Sequence, residues 1–217
     1  MAGKDGRLLR LYEELLEQSG PQECNKAWPR NEKRAGVAWA KPCWWPADSR
    51  FEVVVGALLA QNTNWKNVEK AIGNLKDADS LDAERIVSMR KCSLEKLIRP
   101  SGFDRQKAKR LKTLAKSFLV FESRGSPPSR DELLAIDGVG KETADSILLY
   151  AYDIPHFVID AYTRRFCKCH SLLESKEYDD YTSYFEKALP RDVALYKEYH
   201  ALIVEWGKAA GRMKRAD

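Results

Sequence analysis

Two closely spaced glycines separate two helical patterns in the segment Asp137-Gly138-Val139-Gly140. Glycines at this spacing favour backbone angles that a helix does not use, so the chain turns sharply here. The apolar residues at helical spacing are Leu133, Leu134 and Ile136 before the turn, and Ala144, Ile147, Leu148 and Ala151 after it. The pattern predicts a helical hairpin whose second helix begins with backbone N–H groups suited to a phosphate. An ordinary helix–turn–helix with a glycine-rich corner would have the same pattern.

Helical periodicity extends through nearly all of the chain. A capping box, Ser49 with Glu52, precedes the segment FEVVVGALLAQ, which is apolar almost all round and is therefore expected to be a central core helix. The valine and isoleucine runs at 53–55 and 157–159 do not alternate with polar residues, so no strand is predicted. The sequence therefore predicts an all-α fold.

Charge and cysteine usage narrow the class of protein. The 37 basic and 32 acidic residues give a net charge of +5, which permits a polyanionic partner without demonstrating one. No stretch approaches the roughly 20 apolar residues of a membrane span, and the N-terminus lacks an apolar signal core, so we expect a soluble, cytoplasmic protein with no membrane partner. The five scattered cysteines do not favour a disulfide framework. The cluster Cys167-Lys168-Cys169-His170 lacks the second ligand pair of a structural zinc site, so no metal site is predicted.

A single aspartate, Asp160, follows the apolar run 157–159 and precedes a helical pattern. Its position alone favours a helix N-cap. A functional carboxylate at the same place is compatible with that role, because capping helps to keep the carboxylate ionised.

These residues together resemble a known family. The hairpin LLAIDGVGKETA, the loop at 155–159 and the closing Asp160 are similar to the helix–hairpin–helix, Gly/Pro-rich loop and aspartate motif of the HhH-GPD base-excision DNA glycosylases. The resemblance runs from about residue 40 to 208 and includes the segments 58–63, 99–103 with Lys107-Ala108, and 200–204. It is greatest for the 3-methyladenine DNA glycosylase III branch, which is related to endonuclease III.

The resemblance implies two helical lobes with the active site in the cleft between them. Residues 49–158 would form a central helical barrel that ends in the helix–hairpin–helix at 129–151. Residues 1–48 and 159–217 would form a second, terminal domain. Asp160 would then lie at the cleft as the catalytic residue.

Hydrolysis of an N-glycosidic bond explains why such a site needs a carboxylate and aromatic side chains. Breaking the bond builds positive charge on the sugar, which a carboxylate can stabilise while it positions water or accepts a proton. The damaged base must leave the stack and be held elsewhere. Indole faces attract the positive charge of an N3-alkylated purine. The resemblance implies a base pocket formed by Trp44, Trp45, Pro46 and Trp65, although Trp44 could equally be core and Trp65 a helix-start anchor.

Several residues are candidates for contacts with DNA. Gln61 resembles the residue that fills the gap left by the flipped base, and a surface glutamine is the equal alternative. The hairpin candidates are Gly138, Val139, Gly140, Lys141 and Thr143. Four cations could touch phosphates or simply form a solvated face: Arg99, Lys107, Lys109 and Lys112.

Two departures from the endonuclease III pattern bear on mechanism. Bifunctional relatives carry a lysine two positions after the second hairpin glycine, where this chain has Glu142, and Lys141 is rotated by about 100° on the helix. No cysteine follows Gly207, so the terminal iron–sulfur cluster of many relatives is not expected. We expect no required cofactor, although the resemblance implies that hairpin carbonyls near Val139 can hold a monovalent cation.

The function expected from this resemblance is monofunctional excision of alkylated purines, with 3-methyladenine favoured, leaving an abasic site. The partner would be double-stranded DNA with a damaged base, and we expect a monomer that acts on the nucleoid in the cytoplasm. The alternatives are a glycosylase for uracil, mismatched thymine or an oxidised base, a non-catalytic helix–hairpin–helix DNA-binding module, and a helical scaffold. No role is assigned to residues 18–39.

Overall fold

The computed structural model describes residues 6–22, 45 and 47–213, and it describes side chains as far as residue 210. Trp44 and Pro46 of the expected base pocket, and most of the segment 18–39, lie outside these residues. The described part of the chain contains helices and no strands, which confirms the predicted all-α class.

The eleven α-helices of the described residues are α1 (Gly6–Ser19), α2 (Arg50–Leu59), α3 (Trp65–Asp77), α4 (Ala83–Ser88), α5 (Lys91–Ile98), α6 (Asp104–Ser123), α7 (Arg130–Leu134), α8 (Lys141–Tyr152), α9 (Ala161–Cys169), α10 (Tyr178–Ala188) and α11 (Val193–Met213). A 3₁₀ turn, Arg99–Ser101, joins α5 to the loop before α6. Within the described residues, none of these helices is both long enough and apolar enough to cross a membrane.

The chain divides into two compact units. One consists of Ala47–Tyr152, and the other combines Met1–Pro46 with Asp153–Asp217. The division differs from the expected boundary, because residues 153–158 group with the terminal segments rather than with the central ones. The physical reason is the burial of Phe157, whose ring stacks on Phe185 of α10 at 4.1 Å and meets Tyr196 of α11 edge-on.

The central unit is organised around α2. Every residue of α2 from Phe51 to Leu59 is buried, as the uniformly apolar sequence predicts, and the helix packs against α3, α6 and α8. Ser49 caps the helix by accepting from the amide of Glu52. Glu52 does not complete a capping box with Ser49; its carboxylate accepts from the amide of Asp48 and pairs with Lys76 at 2.7 Å.

The terminal unit is an aromatic-rich group of four helices, α1, α9, α10 and α11. The fully buried rings of Phe157, Phe166, Phe185, Tyr196 and Tyr199 form its centre. The Tyr199 hydroxyl donates to the carbonyl of Leu8 at 2.9 Å, which fastens α11 to α1. Large aromatic side chains that contact one another edge-on leave little freedom to the helices that carry them.

Candidate active site

Asp160 lies at the N-terminus of α9, and its carboxylate caps that helix. Oδ1 accepts from the Thr163 amide at 2.7 Å and from the Thr163 hydroxyl at 3.0 Å. Oδ2 faces α11, where Nε2 of His200 lies 3.7 Å away, a distance of electrostatic contact rather than of a direct hydrogen bond. The cap predicted from position is thus present, and it occupies one carboxylate oxygen.

The backbone that carries Asp160 is fixed although it belongs to no helix. Residues 157–159 are fully buried, so their polar backbone groups need partners inside the protein. The amide of Phe157 donates to the carboxylate of Glu186 at 3.0 Å, and the amide of Ile159 donates to the hydroxyl of Tyr178 at 3.2 Å. Both partners belong to α10, so this helix sets the position of the residue that follows.

The electrostatics of Asp160 favour its ionised form. Burial by itself would raise the pKa of this carboxyl group. The attraction of His200 and the two hydrogen bonds from Thr163 outweigh burial, so the pKa of Asp160 lies below its ordinary value. A mostly buried carboxylate is therefore available as an anion at neutral pH, which is the form that stabilises a cationic sugar.

The hairpin in the central unit has the turn that the sequence predicts. Gly138 adopts a φ of +86°, which strains any residue with a Cβ, and a Cβ at this position would also displace the flexible side chain of Arg110. The side chain of Val139 is buried, and its amide donates to the carbonyl of Ile136 at 3.0 Å. The Ala144 amide donates to the Gly140 carbonyl at 2.9 Å, and α8 begins at Lys141.

A buried ion pair joins the two helices of the hairpin. Arg130 of α7 binds the carboxylate of Asp145 of α8 through two contacts, Nε to Oδ1 at 2.6 Å and a second guanidinium nitrogen to Oδ2 at 3.1 Å. The Asp145 side chain is fully buried, whereas that of Arg130 is 23% exposed. No role was predicted from the sequence for either residue.

Gln61 lies against the hairpin. Its side-chain amide donates to the Gly138 carbonyl and to the Thr143 hydroxyl, each at 2.9 Å. The Thr143 side chain is buried and its hydroxyl accepts this bond, so its expected contact with DNA stays a prediction. The structure therefore brings three of the predicted residues together, with Gln61 bracing the turn in the protein without DNA. Its role as a gap-filling residue stays a prediction.

Lys107 and Phe103 are exceptions to the usual burial of their residue types, because the lysine is buried and the phenylalanine is exposed. Lys107 is buried and donates to the carbonyls of Leu59 and Ser101, each at 2.8 Å, so neither the phosphate contact nor the solvated position considered for it is correct. Phe103 is 64% exposed and has a φ of +50°, a left-handed conformation that is strained for a bulky residue. Because strain of this kind clusters at functional sites, Phe103 is a candidate functional residue; it lies in the segment 99–103 that carried the resemblance, but no role of its own was predicted for it.

The tryptophans and cysteines considered in the sequence differ in burial and in the unit to which they belong. Trp45 is buried in the terminal unit, and Trp65 is the half-buried first residue of α3 in the central unit. Cys167 is buried in α9, whereas Cys169 is exposed. Among the described residues, no group of three or more histidine, cysteine, aspartate or glutamate side chains could hold a metal ion.

Comparison with known proteins identifies the family of this chain. Residues 55–191 match the profile of the HhH-GPD superfamily of base excision DNA repair proteins. The chain belongs to this superfamily.

Individual HhH-GPD proteins are similar over most of the chain. A provisionally assigned DNA repair glycosylase of Methanocaldococcus jannaschii is 51% identical over 183 residues, which cover 79% of this chain and 82% of that protein. The H. pylori 3-methyladenine DNA glycosylase, whose crystal structure contains 1,N6-ethenoadenine, is 31% identical with a TM-score of 0.74 over 96% of this chain and 98% of that one. Endonuclease III of Thermotoga maritima is 26% identical over 187 residues, covering 86% and 80% of the two chains.

In this HhH-GPD chain the structure adds His200, Arg130 and Asp145 to the residues predicted for the site. Each of them contacts a partner that is distant in the sequence. His200 lies within the segment 200–204 that carried the resemblance, yet nothing in the sequence pairs it with Asp160. Arg130 and Asp145 could have been suspected, because opposite charges that flank a predicted hairpin meet when it closes.

Proposed function

We propose that this protein is a monofunctional DNA glycosylase that hydrolyses the N-glycosidic bond of alkylated purines, 3-methyladenine in particular, and leaves an abasic site. The observation that carries the proposal is Asp160, a mostly buried carboxylate held by Thr163 and His200 with its pKa below the ordinary value. A fixed anion of this kind stabilises the cationic sugar that forms as the bond breaks.

Residues of the hairpin support the assignment of double-stranded DNA as the partner. The turn at Gly138 and the N-terminus of α8 present amides that can bind a backbone phosphate, and Lys141 adds a positive charge beside them. Contacts of this kind position the DNA duplex but do not depend on its base sequence. We expect the protein to act as a monomer on the nucleoid in the cytoplasm.

We propose that the protein does not cleave the DNA strand, and the reason is the residue at position 142, Glu142. This residue occupies the position two after the second hairpin glycine, where a Schiff base would require an amine. An excision that needs only water and Asp160 requires no cofactor. A monovalent cation on hairpin carbonyls near Val139 would strengthen the grip on phosphate without taking part in the chemistry.

Alkylated purines are supported as the substrate by the tryptophans and by one relative. Trp44, Trp45, Pro46 and Trp65 are the residues that we propose to stack on a positively charged base. The H. pylori protein at 31% identity is named a 3-methyladenine glycosylase and was crystallised with an alkylated adenine analogue, 1,N6-ethenoadenine. A glycosylase of another specificity is the second candidate, because the similarity to endonuclease III of T. maritima extends over most of the chain.

The test is single-turnover excision from duplexes that carry one 3-methyladenine, uracil or 8-oxoguanine. Wild type should release 3-methyladenine and leave an intact strand, and borohydride should trap no covalent adduct. Asp160→Asn should lower the rate by a factor on the order of 10² to 10³ or more while DNA binding is kept. Asparagine caps helices as well as aspartate does, so the fold should survive the change.

Asp82 offers a matched control, because it caps α4 in the same way by accepting from the Arg85 amide at 3.1 Å. Asp82→Asn should leave excision unchanged. Near-normal excision by Asp160→Asn would refute the assignment of the catalytic residue, and a trapped adduct would refute the monofunctional mechanism.

A further inference from the structure

The two oxygens of the Asp160 carboxylate are held in different ways. Oδ1 is occupied by the amide and hydroxyl of Thr163, both within the same helix end. Oδ2 receives no such local bond and faces Nε2 of His200 at 3.7 Å. The orientation of the carboxylate about its own axis is therefore set from α11 as well as from α9.

The position of His200 is tightly constrained. Its side chain is buried, and it lies on α11 one residue after Tyr199, whose hydroxyl is bonded to α1. Helices α9 and α11 approach so closely at Gly207 that a Cβ there would lie 2.3 Å from the ring of Tyr162. Phe166 and Trp206 pack edge-on between the same helices at 5.3 Å. The imidazole is thus held beside Asp160 and cannot move away without repacking α9 on α11.

We propose that His200 is a positioning residue for excision, which holds Oδ2 of Asp160 in the orientation that the reaction requires. The inference rests on the proposed function, because it assigns His200 a task only if Asp160 is the catalytic group. His200 acts through Asp160 and is not assigned any contact with the substrate. When it carries a proton, it also stabilises the anionic carboxylate.

The charged and polar groups around Asp160 predict how the pH dependence of excision should change when His200 is replaced. Among the described side chains, those that lower the pKa of Asp160 are His200 from α11 and Thr163 from α9. Lys197, one turn before His200 on α11, is paired with Asp153. Loss of His200 should therefore raise the pKa of Asp160 and move the acid limb of the rate–pH profile to higher pH. A residue that served only to fill space would leave that limb in place.

The experiment compares His200→Gln and His200→Phe with wild type in single-turnover excision of 3-methyladenine from about pH 3 upwards, because the acid limb of wild type should lie below the ordinary aspartate pKa of about 3.9. Because a misplacement of about 1 Å can cost about 10²-fold, His200→Phe should slow excision by roughly ten- to a hundred-fold with unchanged DNA affinity. Glutamine keeps a hydrogen-bond donor without the charge. It should restore part of the rate, but its acid limb should still lie at higher pH than that of wild type.

Lys168 provides the matched control, since its Nζ lies 3.2 Å from a carboxylate oxygen of Glu174 in the same unit and it is not among the groups that lower the pKa of Asp160. Lys168→Gln should leave the acid limb unmoved. Wild-type rates and an unmoved acid limb in both His200 variants would overturn the inference, provided that Asp160→Asn is inactive. An active Asp160→Asn would instead overturn the proposed function.

A second measurement decides the question if His200→Phe does not fold. The Asp160 carboxyl carbon can be titrated by ¹³C NMR in wild type and in His200→Gln, and it is assigned by its absence in Asp160→Asn. A higher midpoint in His200→Gln supports the inference. Identical titrations overturn it.

Discussion

The ion pair between Arg130 and Asp145 gives the sharpest test of how the hairpin is held. The Asp145 carboxylate is fully buried, whereas the Arg130 guanidinium is 23% exposed. Removing one partner of a buried pair leaves an uncompensated charge, which costs about 3–5 kcal/mol. The cost should depend on which charge is left behind, because only the partly exposed one can regain water.

Arg130→Ala should therefore lower the free energy of unfolding by about 3–5 kcal/mol, since it strands a carboxylate that water cannot reach. Asp145→Ala should cost less, about 1–3 kcal/mol, because the remaining guanidinium can turn towards solvent. The double variant removes both charges, so its cost should fall short of the sum of the two by roughly 1–3 kcal/mol.

Urea unfolding of the four proteins at neutral pH measures these quantities directly, provided that all four share one m-value. The exposed pair Lys168–Glu174, at 3.2 Å with both side chains more than 70% exposed, is the control cycle and should show coupling close to zero. A larger loss for Asp145→Ala than for Arg130→Ala would refute the reasoning, as would additive single effects. If Arg130→Ala folds but binds DNA more weakly, the ion pair between Arg130 and Asp145 also contributes to DNA binding by the hairpin.

Two further changes test other parts of the central unit. Burial lowers the pKa of Lys107 to about 8, so between pH 8 and the ordinary lysine value the unfolded chain binds more protons than the folded one. We therefore expect the difference in unfolding free energy, wild type minus Lys107→Met, to rise between pH 8 and 10 when it is measured by urea titration. A difference that stays flat or falls would contradict the burial of a charged amine at Lys107. Gly138→Ala should destabilise the protein by at least about 1–2 kcal/mol from backbone strain and weaken DNA binding, because its Cβ would also displace Arg110. Gly140→Ala, where a Cβ meets nothing within 4 Å, is the control in the same thermal melts, and equal effects of the two changes would show that the turn does not need glycine.

Local features of the site could be predicted from the sequence because neighbouring residues encode them. The turn at Gly138 follows from glycine chemistry, and the cap at Asp160 follows from an aspartate before a helical pattern. A serine three residues before a glutamate forms a reciprocal capping box at Ser129 and Glu132, but the same signature is only half formed at Ser49, where Glu52 accepts from the Asp48 amide instead. The family resemblance depends on these same short motifs.

Contacts between distant residues could not be predicted, because periodicity says which face of a helix is apolar but not which helix covers it. Lys107 was expected at the surface since lysine is rarely buried, yet it bonds a carbonyl 48 residues away at the end of α2. Gln61 was expected either to fill a gap in DNA or to lie at the surface, and neither expectation pairs its amide with a carbonyl 77 residues away in the turn. In both cases a backbone carbonyl that lacks a helical partner takes a side-chain donor instead, and only the packed structure shows where such carbonyls lie.

The sequence by itself determined the all-α class, the hairpin turn and the helix cap at Asp160, because each follows from residue types and their spacing along the chain. Only the tertiary structure decided the state of the Asp160 carboxylate. Packing of α9 on α11 brings His200 to Oδ2 of Asp160, and α10 anchors the buried backbone before it. The reason is physical: burial alone would favour the neutral acid, and an anion persists there because long-range packing supplies the groups that outweigh the loss of water.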